Sequence, residues 1–109
     1  MKKVLLYIGE YHLGYLKEDK DGMIFCSDNQ NIKRAQEHFP VQMRLFKLNT
    51  KGNVLYNVLP YPFSMCRDAF TRNDLCIKAN INSFDTDFEK LYKISGLDMD
   101  LGCFKIIQG

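Results

Sequence analysis

No catalytic signature stands anywhere in these 109 residues. There is no Gly-x-Ser-x-Gly, no phosphate-binding glycine loop and no His-Glu-x-x-His. Tryptophan is absent, and there are only three prolines and two histidines. His12 lies between Tyr11 and Leu13 in an expected strand, where a structural role is the default. His38 is far from it, and no local pattern joins either histidine to a cysteine as base and nucleophile. The cysteines at 26, 66, 76 and 103 form no C-x-x-C pair, which leaves a zinc cluster without local support. Each has an apolar neighbour, as in Phe25-Cys26 and Cys103-Phe104, so buried free thiols in a reducing cytoplasm are expected. The apolar run Val4 to Ile8 is too short for a signal core. No stretch approaches the roughly 20 apolar residues of a membrane-spanning helix. A cytoplasmic chain with no membrane partner is expected.

What is present is ordinary globular material: 46% hydrophobic and 26% charged residues. The length suits one domain over residues 1–109. The net charge is +2, with nine Lys/Arg against six acids up to residue 55 and six against seven beyond it. A nucleic-acid footprint needs a dense basic face, so no direct nucleic-acid contact is expected.

The apolar run Val4 to Ile8 reads as a strand, turned by Gly9 to Tyr11, with Leu13 to Lys17 as its return. Asp21-Gly22 is a hairpin signal before a third strand, Met23 to Cys26. Ile32, Ala35, Gln36 and Phe39 fall at helical spacing within Asn29 to Phe39, and Pro40 ends that helix. Val41, Met43 and Leu45 alternate with Gln42, Arg44 and Phe46, which predicts a half-buried strand with Val41, Met43 and Leu45 inward. Asn49 to Asn53, with Gly52, reads as a turn. Ser64 to Phe70 reads as a short helix capped by Ser64. Asn53 to Leu59 and Leu75 to Ala79 fit either helix or strand.

The clearest helix is Ser83 to Ser95. Phe84, Phe88, Leu91 and Tyr92 make one apolar stripe, with Ser83 as cap and Gly96 as a left-handed stop. Gly102 to Ile107 closes the chain as a strand. Together these predict a small α+β domain on a mostly antiparallel, curved, barrel-like sheet. One clear amphipathic helix and one or two short ones complete it.

Two acidic pairs, Asp85/Asp87 and Asp98/Asp100, are too poor in further donors to hold a divalent ion. Asp19-Lys20-Asp21-Gly22 lacks the remaining ligands of a calcium loop. Asp87-Phe88-Glu89 lacks the glycine of the kinase metal motif. No metal, cofactor or catalytic residue is expected.

Fourteen aromatics are more than these core faces require. Tyr61 and Phe63 flank Pro62 in a segment too constrained for a regular element. It either folds back and caps the core, the commoner outcome, or presents binding anchors. The loop from Phe46 to Phe63 is the expected docking segment, with Phe46, Tyr61, Pro62 and Phe63 as its partner-binding residues and Tyr61 and Phe63 as the anchors. The face carrying Gln42 and Arg44 comes next.

The order of landmarks resembles the N-terminal subdomain of HipA-family Ser/Thr kinases. Tyr7-Ile8-Gly9 and Leu13-Gly14 match its opening strand pair. Phe25-Cys26-Ser27-Asp28 matches its second strand, with Ser27 where the family has Tyr. Pro40 to Phe46 matches in apolar alternation. Asn57, Leu59 and Pro60 match its Asn-Leu-Leu-Pro, although Tyr61-Pro62 replaces the Glu-Gly that follows. The helix from Phe84 to Tyr92, Gly96-Leu97-Asp98 and Gly102-Cys103 match its end. That subdomain is not the kinase. A free-standing copy implies a tripartite HipBST-type toxin–antitoxin arrangement. Its partners would be a HipT-like Ser/Thr kinase, bound and restrained, and a HipB-like DNA-binding protein in the same complex. An unrelated interaction module, such as a phage-encoded inhibitor, and a small Cys/His enzyme remain alternatives.

Overall fold

A computed structural model describes residues 1–48, 50, 51, 54–97 and 99–109. Three strands open the chain as an antiparallel meander: β1 (Lys3–Ile8), β2 (Tyr11–Asp19) and β3 (Gly22–Ser27). Asp19 pairs with Gly22, so Lys20-Asp21 forms the tip of the second hairpin. β4 (Asp100–Leu101) and β5 (Phe104–Gln108) form a short hairpin at the other end of the chain. β5 lies antiparallel to β1, which gives the order β3-β2-β1-β5-β4. The α+β class and antiparallel sheet are as expected. The sheet is open between β3 and β4, so it is barrel-like only in a loose sense.

Strand alternation builds the core. Val4, Leu6 and Ile8 of β1, Leu16 of β2, Met23 and Phe25 of β3, and Phe104 and Ile106 of β5 are all buried. A register shift between Leu6 and Tyr7 bulges β2, and both Leu13 and Gly14 become buried. Onto this face α3 (Asp87–Ser95) lays Phe88, Leu91 and Ile94. α1 (Asn29–His38) adds Ile32 and Ala35. A nine-residue 3₁₀ helix, Phe63–Thr71, adds Phe63, Cys66 and Ala69. Each large apolar side chain so buried contributes roughly 1.5–3 kcal/mol of transfer free energy.

α1 begins where expected, because the Asp28 carboxylate accepts the Asn31 N–H at 3.1 Å. It closes with Phe39 N–H on the Ala35 carbonyl, just before Pro40. Residues 73–79, ambiguous in sequence, form α2 (Asn73–Ala79), ended by Asn80 in the left-handed region at φ 58°.

Several expectations are corrected. Gln42–Leu45 is a 3₁₀ turn, not a strand. Arg44 and Phe46 donate three residues back, to Val41 and Met43, so no ladder forms. Only Met43 turns inward, and Val41 and Leu45 are exposed. Ser64 caps nothing, since the 3₁₀ helix starts from a turn in which Ser64 N–H reaches the Pro60 carbonyl.

α3 starts four residues later than the Ser83 cap. Thr86 is the cap, with its Oγ1 3.1 Å from the Glu89 N–H and 3.2 Å from the Glu89 carboxylate. Thr86-x-x-Glu89 has the sequence pattern of a capping box, and the Thr86 hydroxyl supplies its first half. Phe84 is left outside the helix and 97% exposed. Gly96 stops α3 at φ −72°, in ordinary right-handed backbone. Cys103 is exposed, contrary to the expected burial. The turn read at Asn49 to Asn53 rests on Asn49, Gly52 and Asn53, which lie outside the described residues, as does Asp98.

Candidate interaction surface

The four candidate partner-binding residues part company. Phe63 is fully buried, 6.1 Å between ring centres from Phe25. Pro62 is buried beside it. Both belong to the core and present no surface to a partner, which corrects the reading of them as docking anchors. Phe46 is half-buried and meets Phe25 edge-on at 6.0 Å. Tyr61 is 39% exposed, with its ring edge-on to Phe104 at 6.3 Å. Folding back over the core, the alternative read for Tyr61 to Phe63, therefore holds for Pro62 and Phe63 and in part for Tyr61.

Tyr61 does line a groove. Leu45, Lys47, Leu48, Tyr56 and Pro60 complete its walls, around a volume of about 510 Å³. Most of this lining is apolar, and Leu45 is 58% exposed. The adjacent stretch adds Leu55 and Val58, both exposed. One wall is stiffened from behind. Tyr56 exchanges two backbone hydrogen bonds with Met23, at 2.8 and 2.9 Å, and so ties the segment to the edge of β3. At Gly22 an added Cβ would lie 2.9 Å from the Tyr56 carbonyl oxygen, so this approach needs glycine.

Of the six lining residues only Tyr61 is a named candidate; Lys47, Leu48, Tyr56 and Pro60 lie in the expected docking loop, and Leu45 lies just outside it. Leu45 was placed inward by its alternation with Met43. Tyr56 and Pro60 sat in a stretch with no clear period. The expected docking loop, residues 46–63, is nevertheless where most of the groove lies.

Among the described residues no three His, Cys, Asp or Glu side chains approach closely enough to hold a metal ion. His38 Nδ1 lies 3.1 Å from the Tyr11 hydroxyl and 3.0 Å from the Arg34 carbonyl. The His12 ring lies 5.0 Å from that of Tyr7, tilted by 43°, and its Nε2 is buried without a hydrogen-bond partner among the described residues. All four cysteines are free. Burial pushes the Cys66 thiol up to about 12. The Tyr15 phenol is raised by its hydrogen bond with Cys26, by the charge of that neighbour and by burial.

Two acids are held below their ordinary values. Lys93 Nζ, 2.6 Å from Asp85, lowers that carboxyl first, and the Asn82 N–H helps. Asp74 is lowered by Arg72 at 3.1 Å, against an opposing effect of burial.

The fold and groove define a class: an open-sheet α+β domain with an apolar recess beside one sheet edge. Comparison with protein-family models, curated proteins and solved structures finds no match. No helix among the described residues is long and apolar enough to cross a membrane.

Proposed function

We propose that this chain is a non-catalytic interaction subunit of the cytoplasm, which binds a HipA-like Ser/Thr kinase and holds it inactive. The observation that carries the interaction role is the groove of Leu45, Leu48, Tyr56, Pro60 and Tyr61, an apolar recess open at the surface. The kinase as partner rests on the ordered resemblance to the HipA N-terminal subdomain. In HipBST systems the separate subdomain is HipS, the kinase is HipT, and HipB brings DNA binding. The same roles are proposed here.

The test is co-expression with a HipA-like kinase that lacks this subdomain. Wild type is expected to co-purify and to lower kinase autophosphorylation. Leu45→Glu with Tyr61→Ala should weaken binding thirtyfold or more, since a lost hot-spot aromatic costs about 2 kcal/mol. Failure of wild type to bind the kinase would overturn the kinase reading. Capture of a different host protein by wild type, lost in the groove variant, would support an unrelated interaction module instead.

A further inference from the structure

The sheet has a second face, turned away from the core. Strand register arranges it in three cross-strand rows. Ile24, Lys17 and Lys3 form the first. Cys26, Tyr15, Leu5 and Ile107 form the second. His12, Tyr7 and Lys105 form the third. None of these ten residues is buried, whereas their alternates on β1 are all in the core. Leu5, Tyr7, Tyr15, Ile24 and Ile107 stand apart from the core cluster and from the side chains packed on it.

An antiparallel sheet with one solvated face is ordinarily apolar inside and polar outside. Here the outer face has an apolar middle row. A hollow of about 510 Å³, lined in part by His12, Tyr15 and Cys26, opens at one end of it.

Its charge is one-sided. Lys3 and Lys17 are direct cross-strand partners, an arrangement of like charges that destabilises a sheet. Lys3 Nζ lies over the Tyr15 ring, 4.7 Å from its centre. The ion pairs among the described residues include none of Lys3, Lys17 and Lys105. Three carboxylates stand at the margins, of which Asp28 lines the hollow and caps α1. Asp19 accepts the N–H of Lys20 at 2.6 Å, and Asp100 pairs across from Lys105.

We infer that this face is a second docking surface, distinct from the groove, for an acidic and apolar protein surface. Carboxylates of the partner would relieve the opposed lysines, and its apolar side chains would cover the row from Cys26 to Ile107. A protein fits better than a nucleic acid: three lysines neutralise few phosphates, and the middle of the face is apolar. The inference does not depend on the kinase as partner.

The test uses a designed helical peptide with leucines along one face and flanking glutamates, titrated into the labelled full chain by two-dimensional NMR. A second peptide has lysines in place of the glutamates. The acidic peptide is expected to move the amides of β1, β2 and β5 around Leu5, Tyr15 and Ile107, and the lysine peptide is not. Lys17→Glu should weaken the acidic peptide at least tenfold. It should also raise the thermal midpoint by about 1–4 °C, because Lys3 gains an opposite charge. Tyr61→Ala should leave the peptide response unchanged. The proposal fails if the shifts fall elsewhere or are absent at saturating peptide. Unchanged affinity in Lys17→Glu would overturn it too. So would a single-stranded oligonucleotide that occupies the face more tightly than the acidic peptide, which would make it a nucleic-acid surface.

Discussion

At the scale of single residues, environment decides which cysteines react. Cys66 is buried and its thiol is pushed up to about 12, so it stays protonated across the usual pH range. Cys103 is exposed. The thiolate is the nucleophile, and access controls the rest. Iodoacetamide at pH 8 should label Cys103 in the native chain and spare Cys66 until denaturant is added, with mass spectrometry of digested peptides as the readout.

Asp85 makes a pH argument of the same kind. Lys93 and the Asn82 N–H hold its carboxyl below the ordinary range. A carboxyl depressed in the folded state adds stability in full above its unfolded value, about 3.9, and loses it as pH falls through the folded value. Asp85→Asn should therefore melt below wild type at pH 7, and the gap should close on acidification below about pH 4. A gap independent of pH would show that the Asn82 turn, not the charge, is what the substitution breaks.

Elements show where short-range signals mislead. The meander and α1 were legible because period, the Asp21-Gly22 turn and the stop at Pro40 agreed. The N-terminus of α3 was not, because two competing starts stood three residues apart. Ser83 began a longer apolar stripe, but the Thr86 hydroxyl accepts the Glu89 N–H and donates to the Glu89 carboxylate. Asp85 was engaged elsewhere, by Lys93. The capping-box pattern was present in the sequence and outweighs the stripe. Phe84→Ser should accordingly change stability by less than about 0.5 kcal/mol, as at an ordinary surface site. Phe88→Ala should cost about 3–5 kcal/mol, because Phe88 lies in the core. Urea denaturation of the two variants checks the assignment.

Glycines separate in the same way. Gly14 sits at φ 144°, and a Cβ there would strike the Cys26 carbonyl and approach the Phe25 ring to 2.7 Å. Gly14→Ala should cost more than about 2 kcal/mol by prising β2 from β3. Gly96 has right-handed backbone, and a Cβ there would meet the flexible Gln108 amide at 3.2 Å. Gly96→Ala should stay within about 1 kcal/mol of wild type.

For the molecule as a whole, the loop chosen from its surplus aromatics does double duty, and the sequence could not divide the labour. Tyr61, Pro62 and Phe63 are consecutive in a proline-constrained segment with no period to read, so spacing does not say which of them faces inward. Tertiary packing decides it. The 3₁₀ helix after Pro62 carries Phe63 under the sheet onto Phe25, while Tyr61 stays at the groove. Phe63 thus ties the sheet to the rest of the core, and its loss is a matter of global stability. Phe63→Ala should cost about 3–5 kcal/mol. That is a large share of the roughly 5–15 kcal/mol holding a domain together, and such a variant loses any partner simply by unfolding. Tyr61→Ala removes a groove wall but little of the core, and should melt within a few degrees of wild type. Binding and melting measured on both variants then separate interface from fold. If Tyr61→Ala melts as early as Phe63→Ala, the edge-on packing on Phe104 is structural, and the groove loses one of its walls as a docking element.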